Sequence, residues 1–309
     1  MKWDLGPSTS VDQISEEASL PFYKNKSKGV SIEWGLIRDT VDFGVTSRHE
    51  GNRLFHNVTL FAFLLILLLF LSGLSAAGPI EDCKEHAKYG VPSTDPTLLC
   101  RQAYLLSHSS EYKEPLWVVY HLTSDHLKGS AKRSNKFIAD PDLPDGERAE
   151  PKDYTRSGYD RGHMMPASDA KWKAAAMNQT FYLSNITPQV GEGFNRGIWE
   201  ELESQIRKWT NKRKELYVYV GPLFLTDKIR TIGPNKVGVP THFFKVVFDP
   251  KKKEAIGFVM PNTKLQRGTI PQYIKSIRSI EKLTGFNFLS ELDKETQDQI
   301  ETEVPDMWQ

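Results

Sequence analysis

At 309 residues the chain has room for one large domain or two small ones. Its 40 basic and 39 acidic residues give a net charge of +1, which excludes capture of nucleic acid by bulk charge and leaves only a local basic surface for that purpose. Two cysteines, with no CxxC spacing and no histidine pair beside them, exclude a cysteine-built zinc module.

Residues 1–57 are polar and hold seven Lys/Arg and eight Asp/Glu, unlike the arginine-rich, acid-poor composition of a transit peptide, and are expected to be disordered. Residues 58–77 read VTLFAFLLILLLFLSGLSAA, twenty uncharged positions. At about 1.5 Å per residue that run spans a bilayer as a helix, so it is expected to be a transmembrane anchor or the h-region of a signal. Arg48 and Arg53 precede it while Glu81 and Asp82 follow, and the positive-inside bias places residues 78–309 beyond the membrane. The small residues Ser75-Ala76-Ala77 leave cleavage open. Just after the run, Cys83 and Cys100 fit a disulfide in an oxidising space and two free thiols in a reducing one.

The remaining 78–309 keeps 33 of the 40 basic and 31 of the 39 acidic residues, a net of +2, and is long enough for one buried core. Leu116–Leu122, Leu216–Val220, His242–Phe248 and Ala255–Met260 are strands by their β-branched and aromatic content, with a hairpin turn at 249–253. Short strands without a long helix between each pair predict an α+β domain on a central antiparallel sheet. Residues 127–158, rich in Lys, Ser, Asp, Pro and Gly, form a long loop leading into the motif described next. From Asn195 onward Trp199, Leu202, Ile206 and Trp209 recur as a helical stripe, which puts Asn195 and Glu203 about 80° apart around one helix. A second helix is expected from Ile270 to Leu283, stopped by Thr284-Gly285. Two stretches could form a basic surface: Lys128, Lys132, Arg133 and Lys136, then Arg207, Lys208, Lys212, Arg213 and Lys214. The second reads better as a solvated helix face.

Residues 160–163 are Asp-Arg-Gly-His, and Asn185, Asn195 and Glu203 follow. An imidazole near neutral pKa can accept a proton from water, oxygen-bearing amides and a carboxylate suit a hydrated Mg²⁺, and an arginine can meet charge on phosphate. Each residue has a plainer use: Asn185 could cap a turn or carry a glycan in Asn185-Ile-Thr187, Glu203 could be a surface residue, and Trp199 and Trp209 suit a core better than a stacked base.

Five segments in register, YDRGHMMPASD (159–169), TFYLSNITPQ (180–189), FNRGIWEELE (194–203), YVGPLFL (219–225) and VPTHFFKVV (239–247), resemble the DNA/RNA non-specific ββα-metal endonucleases, with the endonuclease G branch of mitochondria the nearest fit. The likeness covers roughly 85–295. It implies a hydrolase that cuts phosphodiester bonds within DNA and RNA, depends on Mg²⁺ or Mn²⁺, works as a homodimer, and grips the metal between a pair of strands and a helix. By the same resemblance His163 is the general base and Asn195 the direct metal ligand. Glu203 then holds metal-bound water, Asn185 orients the base or substrate, and Arg161 and Arg133 contact phosphate. The implied locations are the mitochondrial inner membrane or intermembrane space, with the nucleus after release. Met-Met-Pro-Ala after His163 and the short segment 226–239 depart from that branch and keep a secretory or extracellular alternative. A catalytically inactive, membrane-held nucleic-acid-binding module of the same fold is the alternative function.

Overall fold

The computed structural model describes residues 78–95 and 97–309. The polar segment 1–57 and the apolar run 58–77 lie outside the described residues. Among the described residues no helix is long and apolar enough to cross a membrane.

Seven antiparallel strands build the central sheet in the order β1-β2-β3-β6-β9-β10-β11, namely Leu98–Cys100, Leu105–Ser109, Glu114–Thr123, Glu215–Leu223, His242–Asp249, Glu254–Pro261 and Ile274–Lys275, while β4 (Asp160–His163) pairs with β5 (Ile186–Gln189) and β7 (Thr231–Ile232) with β8 (Val237–Gly238) outside it. The four strands expected from composition are its long members β3, β6, β9 and β10, and residues 249–253 do turn between the last two. Period-two alternation divides their side chains between two cores. Val118, Tyr120, Leu122, Val218, Val220, Phe243 and Val247 face one, while Trp117, Val119, Tyr217, Tyr219, Phe244 and Val246 face the other. With both faces covered, the middle strands carry continuous apolar runs instead of an apolar/polar alternation.

Cys83 and Cys100 are joined as a disulfide, which settles the pairing that spacing left open. It ties the segment after α1 (Pro79–Asp82) to β1. Two helices start later than periodicity suggests. Residues 270–273 form a single 3₁₀ turn and 274–275 pair with β10. The α-helix itself runs Ile277–Thr284, capped by the Ser276 side chain and ended by Gly285 in the left-handed region. The edge pairing of β11 with β10 separates that first turn from the helix. Similarly, residues 191–199 form a wide, kinked turn with non-helical backbone at Glu192, Gly193, Arg196 and Gly197, and the α-helix spans Glu200–Arg213. Asn195 therefore does not share a regular helix with Glu203, and the 80° reckoning fails for the pair. Gly193 sits at φ 83°, and a Cβ there would lie 2.5 Å from Lys264 Cγ, so the kink is written in glycine. The stripe Trp199, Leu202, Ile206 and Trp209 is fully buried, as its spacing predicts.

Candidate active site

Outside the main sheet, β4 (Asp160–His163) pairs antiparallel with β5 (Ile186–Gln189) in the register Asp160 to Gln189, Arg161 to Pro188, Gly162 to Thr187 and His163 to Ile186. The wide turn and the helix Glu200–Arg213 follow directly, completing a ββα unit. Asn262, just after β10, fastens this ribbon to the sheet: its Oδ1 accepts from Val190 N at 2.8 Å, and its Nδ2 donates to Pro188 O and Pro240 O. Residues two apart on a strand share a face, so Arg161 and His163 point one way and Asp160 and Gly162 the other.

On the second face Asp160 Oδ2 accepts from Asn195 Nδ2 at 2.9 Å, and Asp160 Oδ1 accepts from Arg196 Nη1 at 3.0 Å. The first of these bonds fixes which end of the Asn195 amide is the donor and leaves Oδ1 without a hydrogen-bond partner among the described residues. Gly162 is needed for close approach, since a Cβ there would lie 2.0 Å from Gln189 Cδ, whose side chain lies across it. Both amide atoms of Gln189 are buried without a partner among the described residues.

On the first face, the His163 ring lies against Phe137 and Phe181, with centroids 5.5 and 4.9 Å away. Its Nε2 is buried with no hydrogen-bond partner among the described residues. Burial first, and the charge of Arg133 second, push the imidazole down to about 3, so it stays neutral at physiological pH with a lone pair available. Arg133 also bears electrostatically on Glu203, which places all three in one field. Arg161 sits over the rings of Phe137 and Tyr154.

Glu203 projects from the first turn of its helix with the side chain 15% exposed, and Lys245 Nζ lies 4.0 Å from its Oε1. Burial raises the Glu203 carboxyl to about 7 against the opposing pull of Lys245. Lys245 is itself fully buried on β9, with Nζ 4.2 Å over the Trp199 ring. Its signal is present in the sequence. In Phe243-Phe-Lys-Val-Val247 it occupies the same face as Phe243 and Val247, an inward position that a lysine takes only with a partner.

Asn185 is buried, and its amide is turned to the backbone. Its Oδ1 accepts from Met165 N at 2.9 Å and its Nδ2 donates to Met165 O and Thr180 O, so it clamps the chain that leaves His163. Of the two basic stretches, the first brings Arg133 to the site. In the second, Arg207 donates to buried Asp169 and Arg213 to Asp249 and Glu254, so both arginines are structural. Phe137 and Tyr154 are not singled out by sequence reasoning, because an isolated aromatic in a polar loop carries no periodic signal. Among the described residues no group of three or more His, Cys, Asp or Glu side chains is placed to hold an ion.

The profile of the DNA/RNA non-specific endonuclease family matches residues 83–295. Nuclease C1 of Cunninghamella echinulata var. echinulata is 41% identical over 224 residues, covering 68% of this chain and 89% of its own. Human mitochondrial endonuclease G is 37% identical over 223 residues, covering 66% and 73%. A crystal structure of an EndoG/EndoGI complex superposes with a TM-score of 0.66 at 34% identity, covering 72% of this chain and 96% of that one. With an antiparallel core, a ββα unit carrying the Asp-Arg-Gly-His segment, and a family match over more than half its length, the chain belongs to the DNA/RNA non-specific endonucleases, hydrolases that cut within nucleic-acid chains.

Proposed function

We propose that the chain is a divalent-metal-dependent, sugar-non-specific endonuclease in which His163 is the general base and Asn195 and Glu203 hold a hydrated Mg²⁺, with Mn²⁺ as a substitute. The observation that carries this reading is the His163 imidazole, neutral at physiological pH, beside two arginines and with no partner for its Nε2 among the described residues. The donor set fits a hard cation: Asn195 is oriented by Asp160 with its carbonyl oxygen unpartnered among the described residues, and Glu203 supplies a carboxylate. The cation, when bound, withdraws charge from the phosphate oxygens and the leaving oxygen.

The protein's own groups do the rest. Arg161 and Arg133 hold the phosphodiester by its non-bridging oxygens. The His163 imidazole takes a proton from a water molecule as the water oxygen bonds to phosphorus; the phosphorus–oxygen bond to one sugar breaks, and the departing oxygen keeps that electron pair and is protonated by solvent water. Asn185 keeps the base in place through Met165. Burial causes most of the depression of the imidazole; substrate charge beside Arg133 would offset the smaller, repulsive part and make His163 more basic when it is needed. His163→Ala should lower the cleavage rate at least ~10²-fold while leaving DNA binding in place. Unchanged plasmid nicking by the purified variant would refute the assignment of His163 as the base.

The proposal includes a homodimer held at a membrane by 58–77, with the catalytic domain at the mitochondrial inner membrane or intermembrane space. Relatives named as mitochondrial nucleases in yeast and human support the mitochondrion as the organelle. Full-length protein should pellet with mitochondrial membranes and resist alkaline carbonate extraction. Recovery of the intact chain in the soluble fraction would overturn the membrane assignment.

A further inference from the structure

The arginines near the site differ in what holds them. Arg101 donates to buried Asp140 at 2.6 Å and Arg207 to buried Asp169 at 3.0 Å. Arg161 has no carboxylate partner among the described residues. Its guanidinium carbon lies 5.3 Å from the Phe137 centroid and 5.7 Å from that of Tyr154. Its Nη2 donates to Pro151 O at 3.2 Å, and its Nε is buried without a partner among the described residues. Arg133 is held alike, 5.0 Å over Phe181, with Nε donating to Asn135 Oδ1.

An aromatic face attracts a cation through its quadrupole but offers no lone pair in the plane of the guanidinium. A carboxylate would occupy the same in-plane donors that a phosphate needs, and in the same forked geometry. Phe137 meets three requirements at once. It is half-buried, it lies under Arg161, and it contacts the His163 ring.

We propose that Phe137 is a positioning residue: its ring fixes the Arg161 guanidinium beside His163 while leaving the outer N–H donors of Arg161, those of Nη1 and the second of Nη2, available to the scissile phosphate. This rests on the reading of Arg161 as a phosphate contact. Phe137 also packs against the cluster around Leu183 and Ile186, so a purely structural role is the competitor.

A double-mutant cycle separates them. DNA affinity is measured by anisotropy of a labelled duplex over a series of salt concentrations, using the full-length chain in detergent with His163→Ala throughout so that the duplex survives. Phe137→Leu should weaken binding by roughly three- to tenfold and flatten the dependence of log K on log salt by about 0.9, the loss of one phosphate contact. Arg161→Ala should do the same, Phe137→Leu should add less than about twofold on top of it, and Phe137→Tyr should bind as the parent does. Independent, multiplying losses, or Phe137→Tyr as weak as Phe137→Leu, would overturn the inference. If Phe137→Leu fails to fold, Phe137→Met keeps the volume without the ring and carries the same comparison. Should Arg161→Ala bind DNA normally, the assignment of Arg161 itself falls; should it bind weakly while Phe137→Leu does not, only the inference about Phe137 falls.

Discussion

Arg161 on β4 and Arg213 at the end of the helix Glu200–Arg213 both lie over an aromatic ring, and there the likeness stops. Arg213 stacks 3.9 Å from the Trp308 centroid while its Nη1 donates to Asp249 at 2.8 Å and to Glu254 at 2.7 Å. Arg161 stacks on Phe137 and Tyr154 and keeps its charge uncompensated among the described residues. The same side chain locks a structure when carboxylates occupy its donors, and stays ready for an anionic ligand when rings hold it instead. Lys245 and Glu203 lie between these extremes, a buried pair 4.0 Å apart whose charges temper each other without a full hydrogen bond.

The sharpest way to break this comparison is to delete both arginines separately. Arg161→Ala should lower kcat/KM by ~10²–10³-fold, the usual cost of removing one preorganised donor from a developing oxyanion, with little change in melting temperature. Arg213→Ala should do the reverse. It leaves the 1%-exposed Asp249 without its counter-ion, a loss of roughly 3–5 kcal/mol of stability, while activity per folded molecule is unchanged. If thermal melts and initial rates show both variants losing activity in proportion to stability, the division between locking and ligand-ready arginines is wrong.

Much of this arrangement is legible along the chain, and the part that is not has identifiable causes. His163, Asn195 and Glu203 carry chemistry in their residue types and lie close in sequence, so type and spacing together single them out. The strands show because buried β3, β6, β9 and β10 are rich in Val, Phe and Tyr. Periodicity misplaces the start of the helix after Asn195 because Trp199 keeps helical spacing with Leu202 although the turn preceding it is kinked; the glycines at 191, 193 and 197 are the warning. Phe137 and Tyr154 carry no such signal, since what matters is their position under a guanidinium from a strand some distance along the chain. Lys245 does carry one, because it breaks an inward-facing apolar pattern.

The carboxylate in the proposed metal shell gives the finest test, since its ionisation competes with the cation. Burial holds the Glu203 carboxyl near 7, well above its ordinary value, so it is ionised above about pH 7 and protonated below. A cation needs the ionised form, so each unit of pH below that point should raise the Mg²⁺ concentration for half-maximal rate by up to about tenfold, one proton being displaced per cation bound. Extra Mg²⁺ should therefore restore activity on the acid side. His163 does not set that limb in the free enzyme, because its imidazole remains neutral down to about 3. Asn195→Ala should raise the Mg²⁺ requirement at every pH and far more than Arg133→Ala does, whereas Glu203→Gln should raise it and remove its pH dependence between roughly 6 and 7.5, as read from Mg²⁺ titrations of plasmid cleavage on the order of half a pH unit apart. A Glu203→Gln enzyme that keeps the parent's pH-dependent Mg²⁺ requirement would show that the competing proton sits elsewhere, and that Glu203 belongs with the structural carboxylates around Arg213 and not with the site.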